Sequence, residues 1–229
     1  MVINIISIIR IGIMSLLNKL LHFVLISSKK YNIDETHGLS HSMNVLHFAH
    51  NILEEEAKKH PLLIEQEKII YVSAAIHDMC DKKYVDPDEG LENINEFLEG
   101  ELSFTDIDIV KSIVSTMSYS TVKVHGFPDL GEYQHAYHIV READLLAAYD
   151  FDRCMLYNIH KQIDVDKNPE VKMVDAFDDA SKLFQTRVLK HNAHGLLYTE
   201  YSRSNYLPLH INAIKRIQTW KKILKKPIL

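Results

Sequence analysis

Apolar residues recur along this chain at helical rather than strand spacing, and polar breaks divide them into a series of short amphipathic segments. Leu16, Leu17, Leu20, Leu21, Val24 and Leu25 predict a first helix from about Ser15 to Ser28. Val45, Phe48, Ala49, Ile52 and Leu53 predict a second, running to about Lys59 and stopped by Pro61. A third is expected from about Leu63 to Cys80, with Ile69, Ile70, Ser73, Ile76, His77, Cys80 and Asp81 on one face. Asp86-Pro87 reads as an N-cap with proline at the first helical position, opening a helix to Leu98 that Gly100 closes. Ser103 or Thr105 starts the next, which buries Ile107, Val110, Ile113, Val114 and Met117. Residues 120 to 131, with Gly126, Pro128 and Gly131, read as a loop. A helix through Asp144 follows, then one from Asp150 to Ile159 and one from about Val171 to His191. After Gly195 a last helix carrying Ile211, Ile214, Ile217 and Leu224 finishes the chain. No stretch shows a convincing period of two, so the expected class is all-α. The expected organisation is an apolar extension and first helix over 1–30, a core over 31–165, and C-terminal helices over 166–229 packed on it.

Residues 2 to 27 are strongly apolar, but Arg10 and Lys19 interrupt them. The uncharged stretches fall well short of the ~20 residues that a spanning helix needs. Nothing basic precedes the apolar part, which is not the layout of a signal peptide. A helix packed into the fold is expected, with an interfacial membrane helix as the alternative and Met14 as a candidate start. The remainder is an ordinary globular mixture, 46% hydrophobic and 25% charged, with a formal net charge of -5. There is no basic excess of the kind that marks a nucleic-acid binder. Seven glycines, none in a phosphate loop or dinucleotide fingerprint, argue against kinase and Rossmann chemistry. Two cysteines make no disulfide framework, and Cys80 on an inward face suits a reducing, intracellular and cytoplasmic setting.

The inward faces carry groups that a core does not ordinarily accept. His41 lies one turn before the stripe that begins at Val45. His77 and Asp78 end the apolar run of the third helix. Asp144 shares a face with Val140, Ala143 and Ala147. A buried carboxylate needs a hydrogen-bonding partner or a cation. Two imidazoles and two carboxylates brought in from three helices suit one divalent first-row metal, with positions left for water or substrate.

The order His41, His77-Asp78, Asp144 resembles the HD-domain superfamily of metal-dependent phosphohydrolases, whose ligands come from different helices of an all-helical bundle. The resemblance covers roughly residues 36 to 150. It is nearest to the bacterial HD-type nucleotide pyrophosphohydrolases, through Thr36-His37-Gly38-Leu39-Ser40-His41, through Asp78-Met79-Cys80-Asp81-Lys82-Lys83-Tyr84, and through the segment from Ile113 to Ser120. It implies an HD-domain-like bundle, metal ligands His41, His77, Asp78 and Asp144, and hydrolysis of a nucleotide or other small phosphate compound. Asp81 matches a position where similar enzymes place a catalytic acid, commonly Glu; the alternative is a helix-end carboxylate paired with Lys82 or Lys83. Lys83 and Arg141 are expected at the substrate phosphate, with His37 at the substrate or behind the metal ligands. No histidine falls between Asp81 and His125, which favours one metal (Mn, Mg, Co, Fe or Zn) over two. The chain departs at Ala143-Asp144-Leu145-Leu146-Ala147, where that group reads Ala-Asp-Arg-Leu-Asp, and the difference leaves the substrate open. The rival readings are a catalytically silent HD-like binding or regulatory module and a di-iron HD oxygenase.

Overall fold

The structure, a computed structural model, describes residues 2–162 and 169–225, with side chains described over 15–162 and 172–225. Ten α-helices and three short 3-10 turns account for the regular structure among the described residues, and the fold is all-α. The helices are α1 (Val2–Tyr31), α2 (Leu39–Glu56), α3 (Glu67–Ile76), α4 (Pro87–Leu98), α5 (Phe104–Thr116), α6 (Tyr119–His125), α7 (Gln134–Ala147), α8 (Phe151–Gln162), α9 (Pro169–Thr186) and α10 (Glu200–Ile223). The chain forms two compact units, Met1–Ala143 and Asp144–Leu229. Their division falls inside α7.

In the first unit, α3 packs against α1, α2 and α5. Every residue of α3 from Ile69 to Ile76 is buried, so the helix is enclosed all round rather than on the single face its spacing suggested. It is also shorter than expected. It begins at Glu67 after the 3-10 turn Pro61–Ile64, and it ends at Ile76, leaving His77 to Cys80 as a turn. Around it, α2 buries His41, Val45, Ala49, Ile52 and Leu53, close to the expected stripe. Helix α1 buries Leu16, Leu20 and Val24, and its backbone stays helical back to Val2, beyond the Ser15 expected.

Capping explains where α4, α5 and α6 start. The Asp86 carboxylate accepts from the backbone N–H of Asp88 and Glu89, and Pro87 occupies the first turn. Ser103 accepts from Asp106 N–H and opens α5. Ser118 accepts from Thr121 N–H and opens α6, a helix where a loop was expected. Gly126, at φ 76°, terminates it in the left-handed region that favours glycine.

In the second unit, α8 packs on α9 and α10. Phe151 meets Phe177 and Phe184 edge to face, with centroids 5.9 and 5.1 Å away. In α10 Ile217 is buried with Ala213, Ile214 is half-buried, as is Leu224 at the helix end, and Ile211 is 42% exposed. The helix is also tied to α8 by polar contacts, in which Arg216 and the Trp220 indole N–H both donate to Asp152.

Candidate metal centre

Three atoms from two helix ends converge at the head of α2. His41 Nε2 lies 3.1 Å from His77 Nε2. Asp78 Oδ2 lies 3.4 Å from the first and 3.2 Å from the second. The near-equilateral triangle has a chemical meaning. A cation about 2.1 Å from three donors puts them about 3.0 Å apart at an octahedral corner and about 3.4 Å apart in a tetrahedron. The observed edges fall within or at the ends of that interval.

Each member is prepared for the role. His77 Nδ1 lies 2.9 Å from the Ala74 carbonyl, which can only accept. The proton therefore sits on Nδ1, and the Nε2 lone pair points into the triangle. His41 and His77 are 3% and 6% exposed, and Asp78 Oδ2 is a buried oxygen with no well-formed hydrogen bond. Burial alone pushes the Asp78 carboxyl up, but with the histidines protonated the charge and hydrogen bond of His77 and the charges of His41 and His37 outweigh it and hold the group well below the usual carboxylate range; a cation would take the place of those protons. An anionic oxygen between two imidazole nitrogens is the donor set that a divalent cation fits.

Asp144 is carried by α7, and ligand atoms of His41, His77 and Asp144 all lie within 4.8 Å of one another. The chain thus has a His/Asp group able to hold a metal ion.

Close packing fixes the turn that carries His77 and Asp78. Gly90 of α4 lies against Cys80, and a Cβ built on it would stand 2.7 Å from Cys80 Cα. Only glycine lets α4 approach the turn this closely. The sequence shows Gly90 as an ordinary helix-interior glycine, and nothing at that level marks its role. Burial, with the Asp78 and Asp81 carboxylates nearby, pushes the Cys80 thiol up to about 12, so it stays protonated and packs as an apolar group.

A polar relay borders the centre. The Lys83 ammonium can only donate, and it meets His37 Nε2 at 3.2 Å. That leaves the His37 Nδ1 proton for Tyr84 Oη at 2.9 Å or Thr36 Oγ1 at 3.0 Å. Tyr84 in turn donates to Asp34 Oδ2 at 2.6 Å. Burial would raise the Asp34 carboxyl, but hydrogen bonds from Thr36 and Tyr84 lower it below its ordinary value. The His37 ring centroid is 6.3 Å from that of His41, which puts the relay beside the ligands rather than among them.

Two expected residues sit differently. Because α3 ends at Ile76, Asp81 does not continue a helical face from His77. Its carboxylate takes the Lys83 backbone N–H and the Lys83 ammonium, each at 3.0 Å, the lysine pairing held open as the alternative. Arg141 is 2% exposed, and its guanidinium meets Glu142 at 2.9 Å and lies over the Phe127 ring. Its charge is balanced inside the fold by Glu142. Lys83 keeps 45% of its side chain exposed.

No family model and no curated protein matches the sequence. Among solved structures, the fold is similar to that of a protein from Lactobacillus plantarum determined as a structural-genomics target. The TM-score is 0.64 at 17% identity, over 91% of this chain and 97% of that one. At that identity the likeness concerns the fold alone.

Proposed function

We propose that the chain is an HD-type, metal-dependent phosphohydrolase acting on a nucleotide or another small phosphate compound. The observation that carries the reading is the triangle of His41 Nε2, His77 Nε2 and Asp78 Oδ2, with Asp144 within reach. A single divalent ion held there would supply electrophilic activation of a phosphoryl oxygen and of water. The chain's own residues do the rest. The Ala74 carbonyl fixes the His77 ring, and Asp78 offers its buried Oδ2 beside the two imidazoles. Lys83 offers a half-exposed positive charge to the substrate phosphate, and Asp81 and His37 hold that charge in place. Asp81 is thus a positioning residue in this reading. The two cysteines are free, in keeping with a reducing cytoplasmic setting.

The test is a metal-supplemented screen of nucleoside mono- and triphosphates, read for released phosphate and pyrophosphate, on the unsubstituted chain and on Asp78→Ala. Metal-dependent turnover that Asp78→Ala abolishes together with bound metal is expected. Bound metal without turnover on any phosphate compound would reduce the protein to a binding module.

A further inference from the structure

The buried stripe of α2 runs His41, Val45, Ala49, Ile52, Glu56. One end is the centre described above. The other ends in a carboxylate 5% exposed, fifteen residues on, hence about 22 Å away at 1.5 Å per residue. Glu56 Oε2 lies 3.1 Å from Nε2 of His135, at the start of α7. The chain makes one more turn beyond α2, in which His60 N–H donates to the Glu56 carbonyl at 2.9 Å. Glu56 and His60 are therefore four residues apart on a helical turn and face the same way. The His60 ring lies 4.4 Å, centroid to centroid, from that of His135. Ligand atoms of all three residues lie within 4.8 Å of one another.

We propose that Glu56, His60 and His135 form a second metal site, separate from the His41 centre, that takes a late first-row divalent cation such as zinc. Two imidazoles and one carboxylate are a donor set that zinc accepts, with a position left for water. The Glu56–His135 edge already has the length expected of two ligands on one ion. His60 is exposed and lies beyond the last turn of α2, so its ring is free to close the remaining distance. A simple ion pair accounts for one histidine at Glu56 but not for two. Protonated together, the two adjacent rings, tilted 42° to each other, would repel; neutral, both can turn a lone pair toward one ion. The site would clamp the end of α2 to the start of α7 just before Pro61 ends the turn.

Zinc is the probe. The full chain, its His60→Ala variant and its His41→Ala variant are dialysed against a fixed free zinc concentration and assayed for bound metal. The unsubstituted chain should hold one zinc more than His60→Ala, or bind that zinc roughly tenfold or more tighter. His41→Ala should retain it. On the unsubstituted chain, the imidazole NMR signals of His60 and His135 should shift on zinc addition, a result independent of how the variants fold. Equal zinc content and affinity with and without His60, or unmoved His60 and His135 signals, would overturn the site.

Discussion

Asp78 and Asp81 lie three residues apart and meet different surroundings. Asp78 faces two imidazole nitrogens, and its loss should release the metal. Asp81 faces a lysine that is 45% exposed, and pairs of that kind contribute at most about 1 kcal/mol. Asp81→Asn should therefore keep its metal, change stability by no more than about 1 kcal/mol, and leave turnover within a few-fold of normal. Metal analysis and turnover on one preparation check this. A loss of about 10²- to 10⁴-fold with metal retained would make Asp81 the proton-transfer group instead. His138 gives a second test. Burial first, then the charges of Arg141 and His135, lower its imidazole from 6.5 to about 4. The unfolded chain then binds a proton between those values that the native chain does not, so stability falls as pH drops from about 6.5 to about 4. Urea unfolding at pH 7 and pH 5 should show a smaller pH difference for His138→Gln than for the unsubstituted chain. An equal difference would mean that His138 titrates normally. Of the candidate residues, His41 was legible because it extends a clear stripe by one turn. Arg141 was not, because its partner Glu142 is its neighbour in sequence and the burial of both is set by α7 as a whole.

At the scale of elements, the helix starts with a polar cap were readable: Asp86 and Ser103 do what their residue types favour. Ser118 and Gly126 bracket α6 in the same way, but only seven residues separate them, too few for a periodic stripe to stand out from a loop. The end of α3 was misplaced for a different reason. Its residues are buried on every side, and burial continues past Ile76 through His77, Met79 and Cys80, so the inward face carries no sign of the turn. Gly90 holds that turn, and Gly90→Ala should cost about 1–3 kcal/mol as the backbone of Cys80 is forced away. The displacement should also weaken metal binding at His77 and Asp78. Thermal melts with a metal titration check both, and an unchanged melting temperature with unchanged affinity would show that α4 yields without moving the turn.

For the whole molecule, helical spacing without any period-two segment was enough to give the all-α class, and the likeness to the Lactobacillus plantarum structure extends over 91% of the chain. No helix among the described residues is long and apolar enough to cross a membrane, in line with the two basic residues that interrupt the N-terminal apolar run. Helix α10 was readable after Gly195, but its polar ties to Asp152 were not, because no apolar pattern reports them. The proposed function stands on one cation held by the His/Asp group of α2, the turn after α3, and α7. The most direct measurement is an anomalous difference map from crystals grown with manganese. One peak about 2.0–2.3 Å from His41 Nε2, His77 Nε2, Asp78 Oδ2 and an Asp144 oxygen is the predicted result. An empty map at the triangle, with the side chains still converging around it, would contradict the claim.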